Sequence, residues 1–252
     1  MTMIGHDDVL DRSYLEVMND LIKQYPDASL YQTHFRYIDG KGKFIRSCKK
    51  MDERQNAAEF LAAFLQNKID INGTGFMMRS EDYDAAGGIP SYPSLLFADF
   101  ELWIRLTARC YMATSTKECF SFRIHRSTTS ISADLKLHQA FAQFIKYLKN
   151  LKQESATFES VILDYAIPFV RFWCKGLTHR LLRTPKDKRN NLCVSLFLKQ
   201  CKKYADELAP GNNFDPVETL SLRLAQKIDH FAITRSLFLA FKKIYSKPVL
   251  SA

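Results

Sequence analysis

The stretch MTMIGHDDVLD, residues 1–11, changes from mostly apolar to acidic within a few positions. Its first four residues are typical of the end of a buried strand, and His6-Asp7-Asp8 follows directly. From Asp11 to Pro26 apolar residues recur at helical spacing. The stretch therefore predicts a strand, an acidic loop and a helix, in that order.

The acidic loop can be interpreted in two ways. The adjacent carboxylates of Asp7 and Asp8 repel each other, and a hard divalent cation such as Mg²⁺ or Mn²⁺ relieves this while bridging to phosphate oxygens. Alternatively, Asp7, Asp8 and Asp11 lie near a helix start, where acidic side chains cap the helix. The local pattern alone favours capping.

Two further groups of polar residues have the same ambiguity. Asp99 opens a predicted helix whose inner face carries Trp103, so it is either an N-cap residue or a base for a substrate hydroxyl. Arg123 and His125 lie on one face of a strand end, because side chains alternate along a strand. They can meet a diphosphate or a metal, or simply be solvated.

The order and spacing of these groups resemble family-2 glycosyltransferases of the GT-A fold. The resemblance covers roughly residues 3–132, about half the chain. The matching segments are Gly5–Asp11, Tyr14-Leu15, Pro26–Leu30, Tyr37–Gly42, Gly73–Arg79, Gly87-Gly88, Asp99–Leu106 and Phe122–His125.

The resemblance implies a role for each acidic group. Asp8 matches the direct metal ligand, Mg²⁺ or Mn²⁺, and Asp7 its neighbour in the sugar-nucleotide site. Asp99 matches the base that deprotonates an acceptor hydroxyl for in-line, inverting transfer. His6 stands where the family often has an acidic residue, and Ala98 stands where a Glu often precedes the base.

The same resemblance implies the remaining site residues and the substrates. Arg123 and His125 match a closing motif near the diphosphate. An acceptor-side wall is implied, with the residues Gly73, Gly75, Gly87, Gly88 and Trp103. The donor would be a nucleotide sugar, and the acceptor a saccharide or lipid-linked saccharide, as in surface polysaccharide biosynthesis.

Domain organisation also follows from the resemblance. Family members have three strand–helix units of about 30 residues each before the acidic motif, and none precedes it in this sequence. The expected fold class is α/β: a partial GT-A domain over residues 1–132 that lacks its first strand–helix units, followed by an all-helical extension over 133–252. A truncated reading frame is one explanation of the missing units. We expect this chain alone to bind the nucleotide-sugar donor weakly.

Charge is distributed unevenly between these two regions. Residues 133–252 hold 20 Lys and Arg against 10 Asp and Glu, whereas residues 1–132 hold 16 against 17. This asymmetry predicts an anionic partner, and with the resemblance it favours peripheral docking on an anionic membrane. This prediction rests on a cluster of basic residues, for which an ordinary solvated surface is the alternative. The cluster consists of Arg180, Arg183, Lys186, Lys188 and Arg189.

Cysteine spacing and hydropathy bear on location and class. The six cysteines form no C-x-x-C pair, which favours reduced core thiols and not a zinc site. No signal peptide and no spanning segment are visible, so we expect a cytoplasmic protein, peripheral on the inner face of the membrane. Two other functional classes stay open: an inactive truncated remnant acting as a scaffold, and a basic helical nucleic-acid binder, although no nucleic-acid motif appears and no nucleic-acid partner is expected.

Overall fold

A computed structural model describes residues 1–124 and 135–244. By its internal contacts the chain divides into two compact units, Met1–His125 and Arg126–Ala252. The first contains a mixed sheet with helices, and the described part of the second contains helices. The protein is therefore of the mixed α/β class.

The N-terminal unit is built around one six-stranded sheet. Its strands are β1 (Val9–Leu10), β2 (Leu30–Ile38), β3 (Phe44–Ser47), β4 (Arg54–Gln55), β5 (Phe76–Met77) and β6 (Met112–Arg123). Its α-helices are α1 (Tyr14–Gln24), α2 (Ala57–Leu65), α3 (Ser80–Ala85) and α4 (Ala98–Thr107).

The sheet is centred on a long parallel pair. β2 and β6 run parallel from Leu30 opposite Met112 to Ile38 opposite Arg123. β1 and β4 pair antiparallel with β6, while β3 and β5 pair antiparallel with β2. Thr2 forms an antiparallel bridge with Met77, which adds the N-terminal segment beyond β5. Together, these pairings bring the loop that follows the N-terminal segment next to the C-terminal end of β6.

Helices cover both faces of β2, which explains why it is buried almost throughout. Tyr31 belongs to the core cluster under α1, together with Met18. Side chains alternate along a strand, so Gln32 points to the opposite face, where Phe76 pairs with it. Trp103 of α4 stacks on Phe76 with ring centroids 4.3 Å apart.

The opening stretch differs from its prediction. Residues 1–4 are not the buried end of a strand, since Thr2 makes only an isolated bridge and Met1 and Ile4 are exposed. The helix predicted from Asp11 begins at Tyr14, after strand β1.

Three further elements differ from what the sequence predicts. Apolar residues at helical spacing predict a helix over Glu53–Asn67, but it begins at Ala57, because the Asn56 side chain caps it by accepting from the backbone N–H groups of Ala58 and Glu59. The preceding residues form β4 instead. The sequence also predicts a short strand over Gly73–Arg79, which is reduced to Phe76–Met77.

The third difference concerns β6. Two short strands were predicted, near 111–114 and 118–125, but one strand of 12 residues spans Met112–Arg123. The register shifts between Thr33, opposite Ser115, and His34, opposite Glu118. A bulge in β6 absorbs the two extra residues, so the polar sequence that suggests a break does not end the strand.

The C-terminal unit is helical wherever it is described. Its helices are α5 (Lys136–Glu154), α6 (Ala156–Arg183), α7 (Val194–Leu208), α8 (Leu220–His230) and α9 (Ala232–Ile244), with 3₁₀ turns at Lys186–Lys188 and Pro216–Glu218. The sequence of this region predicts four helical segments with breaks near 152–154, 184–190 and 209–215. These breaks are confirmed, and a further break at Phe231 divides the last segment. Across the described ranges, we find no helix with the length and apolarity needed to cross a bilayer.

One member of the predicted basic surface cluster is not on the surface. Arg189 is 2% exposed, and its Nη1 donates to Asp229 Oδ1 over 2.6 Å. Its Nε donates to the Thr184 carbonyl at 2.7 Å. Arg189 is therefore an interior ion-pair residue of this unit, and the cluster loses one of its five charges.

Candidate functional site

The loop Asn72–Gly75 contacts the first predicted carboxylate. The Thr74 hydroxyl donates to Asp8 Oδ2 and accepts from the backbone N–H of Gly5 over 2.9 Å. Gly5 has to lack a side chain here, since a Cβ would lie 2.6 Å from Asp8 Oδ2. Asp8 is thus held between the start of its own loop and Thr74.

Arg123 holds the acidic loop from the other side. Its backbone N–H donates to Asp8 Oδ1 at 2.9 Å, and its Nε donates to the Asp7 carbonyl at 2.8 Å. Its Nη1 donates to the Asp39 carbonyl at 3.1 Å. The antiparallel pairing of β1 with β6 brings these residues together. Arg123 was predicted near the donor diphosphate, and in this structure two of its guanidinium nitrogens already hold backbone carbonyls.

The capping interpretation of the acidic loop is wrong. β1 lies between Asp7-Asp8 and α1, and the N-cap residue of that helix is Ser13, whose side chain makes no capping bond. Asp11 instead forms an ion pair with Arg36 of β2. The acidic loop is therefore held by tertiary contacts and not by a helix terminus.

The residues of this loop are suited to a hard divalent cation. A carboxylate offers about four lone-pair sites, and each oxygen of Asp8 accepts one protein hydrogen bond. Mg²⁺ is usually held by one or two carboxylates, with water and substrate phosphates completing the shell. Asp7 and Asp8 meet that requirement. Within residues 1–124 and 135–244 no group of three or more His, Cys, Asp or Glu forms a complete protein cage, and His125 lies outside those residues.

The same loop contacts the second predicted carboxylate. A Cβ on Gly73 would lie 3.0 Å from Asp99 Oδ2, so the absence of a side chain lets the loop backbone rest on this carboxylate. No hydrogen bond or ion pair from the described residues reaches Asp99. Burial raises the pKa of its carboxyl to about 6.

Asp99 does not cap α4, contrary to the simpler alternative. The helix begins at Ala98, and Phe97 takes the N-cap position with φ of 71°. Ser94 and Leu95 are also left-handed, with φ of 57° and 55°. Each such non-glycine residue costs about 1–3 kcal/mol, and strain of this kind clusters at active sites. The backbone before Asp99 is thus held in a conformation that needs support from elsewhere.

Comparison with known proteins assigns no family to the chain: no family model matches the sequence, and no curated protein matches it.

Glu101 supplies the support for the strained loop. This side chain is buried, accepts from the Tyr92 hydroxyl on one oxygen, and forms an ion pair with Arg105 on the other. Arg105 also donates to the Ala86 carbonyl at 3.2 Å. Both ends of the loop before Asp99 are tied to α4 in this way. Sequence analysis missed this network, although the i,i+4 spacing of Glu101 and Arg105 was a readable signal.

The residues predicted on the acceptor side have different positions. Trp103 is fully buried, and its Nε1 donates to the Asn72 carbonyl at 3.3 Å. It supports the loop from beneath. Gly75 has φ of 79°, and a Cβ there would lie 2.4 Å from the Phe120 ring. Gly87 and Gly88 follow the end of α3, and Gly73 contacts Asp99.

Consecutive residues of one loop thus contact both candidate carboxylates. Gly73 meets Asp99 and Thr74 meets Asp8, and adjacent Cα atoms are about 3.8 Å apart. Each oxygen of Asp8 accepts one hydrogen bond and keeps a further lone-pair site, whereas burial is the effect that acts on the Asp99 carboxyl. The first is suited to hold a cation, and the second to exchange a proton.

Proposed function

We propose that the N-terminal unit is the metal- and acceptor-binding part of a GT-A-type glycosyltransferase that transfers a sugar from a nucleotide donor with inversion. The observation that carries this proposal is that adjacent residues of one loop contact both carboxylates: Thr74 donates to Asp8, and Gly73 lies against Asp99. The sequence resemblance supplies the reaction class. The contacts of the two carboxylates support a different role for each: cation binding for Asp8 and proton transfer for Asp99.

Asp99 has the properties of a general base. With a pKa of about 6 it is mostly ionised at neutral pH, yet it is more basic than an ordinary Asp. It accepts the proton of the acceptor hydroxyl as that oxygen forms its bond to the anomeric carbon. The bond from this carbon to the diphosphate oxygen breaks, and the diphosphate leaves with the electron pair.

The acidic loop serves the donor side. Thr74 and the Arg123 backbone orient the two oxygens of Asp8, and Asp7 lies next to it. A Mg²⁺ or Mn²⁺ ion bound there would neutralise charge on the diphosphate. His125, which lies outside the described residues, is proposed near the same group. A saccharide or lipid-linked acceptor would approach from the side of Asp99.

The test is a screen of nucleotide sugars with Mg²⁺ or Mn²⁺, with release of nucleoside diphosphate as the readout. It is run on the 252-residue chain and on any longer product of the same reading frame. We expect release that requires the cation and is lost in Asp8→Asn. Asp20→Asn, an exposed change on α1, is the matched control and should retain activity.

Two results would count against the proposal. Release that persists in Asp8→Asn would remove that residue from the donor site. Failure of every donor in every length of the protein would favour the scaffold alternative.

A further inference from the structure

Helix α9 (Ala232–Ile244) presents an apolar face to solvent. Ile233, Leu237 and Phe241 follow each other at intervals of four residues, so they form one stripe along the helix. Ile233 is 76% exposed and Leu237 is 66% exposed. A surface helix normally turns such a stripe toward the core, and large exposed apolar patches mark interaction sites.

The opposite face of α9 makes the intramolecular contacts. The Phe238 ring meets His179 of α6 edge-on, with ring centroids 5.7 Å apart. Arg235 donates to the Thr184 carbonyl at 2.8 Å. These contacts hold the helix on its unit by a face other than the one that carries the exposed Ile233 and Leu237.

The sequence that contains the stripe has charged residues of a single sign. From His230 to Ala252 the sequence contains four basic residues, Arg235, Lys242, Lys243 and Lys247, and no acidic one. An apolar stripe combined with exclusively basic charge is the pattern of helices that lie in the interface of anionic membranes.

We propose that α9 docks on an anionic lipid surface, with Ile233 and Leu237 inserted among the acyl chains and the helix drawn there by the net positive charge of the sequence from Leu237 to Ala252. A second copy of the chain fits this face less well, because it would bring two acid-free, positively charged segments together. Docking does not depend on the proposed transferase activity, and it can be tested without any substrate.

The test is flotation of the full chain with lipid vesicles. One set is phosphatidylcholine with about one third phosphatidylglycerol, and the other is phosphatidylcholine alone. We expect binding to the anionic vesicles that weakens as salt is raised, since exposed charges are screened. Leu237→Gln should lower the partition coefficient about tenfold, because a leucine side chain no longer enters the apolar region.

Leu15 provides a matched control. It is also 66% exposed, and it lies on α1 of the N-terminal unit. Leu15→Gln should leave vesicle binding unchanged. Equal losses in the two variants, or no binding of the wild type to either vesicle set, would overturn the proposal. So would a concentration-dependent dimer in sedimentation equilibrium that Leu237→Gln abolishes, because the stripe would then be covered by a second copy.

Discussion

Two regions of this protein withdraw an aspartate from solvent, and they treat it in opposite ways. Asp229, near the end of α8, accepts from Arg189 Nη1 at 2.6 Å and from the Val194 N–H at 2.9 Å. Asp99, at the start of α4, rests on Gly73 and receives no hydrogen bond from the described residues. Burial raises the pKa of Asp99 to about 6. A buried carboxylate with a complete set of donors stabilises an interior, whereas one without them is available for proton transfer.

The largest expected effect is on the partnered aspartate. Asp229→Asn leaves the Arg189 guanidinium buried without its counter-charge, and breaking such a pair costs about 3–5 kcal/mol. Urea unfolding should show this loss in the free energy of unfolding. Asp187→Asn, an exposed change in the adjacent 3₁₀ turn, is the control and should stay within about 0.5 kcal/mol of wild type. A small loss in the free energy of unfolding of Asp229→Asn would mean that the hydrogen-bonded Asp229 does not stabilise its unit more than Asp99 does.

The next effect is on the unpartnered aspartate and concerns activity. Asp99→Asn removes the proposed base, so transfer should slow by at least about a hundredfold, or about 2.7 kcal/mol of activation free energy. Steady-state kcat with an active donor is the measurement. Asp84→Asn, an exposed change on α3, should leave kcat unchanged. Full turnover by Asp99→Asn would sink the assignment of the base.

The pH profile sharpens that experiment. Because the base acts in its ionised form, the wild-type rate should rise through a pH of about 6 and level off above it. The residual rate of Asp99→Asn should lack this inflection. A profile that is unchanged in the variant would mean that another group titrates.

The smallest effect is a gain in stability from the same change. The folded pKa of Asp99 lies above its ordinary value of 3.8, so the ionised carboxylate opposes folding. The raised pKa converts to at most about 3 kcal/mol, and partial exposure of the group reduces this to about 1 kcal/mol. Asp99→Asn should thus be more stable than wild type above pH 6.

The gain should disappear as the pH falls below about 3.8, where the wild-type carboxyl is protonated in both the folded and the unfolded state. Thermal unfolding at several pH values measures it. A variant less stable than wild type at pH 7 would indicate that Asp99 has a partner which stabilises its charge.

Local patterns in the sequence were sufficient for much of the fold. β2, the return strand β3 and the helical tail with its breaks follow from periodicity and turn residues. The boundary of α2 was missed because one side chain, Asn56, decides it. β6 was divided because polar residues at a bulge resemble a loop.

The candidate site was only partly predictable for a different reason. Asp8, Asp99 and Arg123 were predicted, but the loop that contacts two of them, with Thr74 at Asp8 and Gly73 at Asp99, acts through contacts between distant segments. The left-handed backbone at Ser94, Leu95 and Phe97 breaks local preference, so no local signal predicts it. Arg189 seemed to be a surface charge because its partner lies 40 positions further along the chain.

The absence of a side chain at position 73 couples this position to position 99. An alanine methyl group there would sit 3.0 Å from Asp99 Oδ2, which is tighter than nine in ten real Cβ contacts. Any side chain at position 73 would therefore require the carboxylate at position 99 to shift, so the two positions should be varied together in mutagenesis.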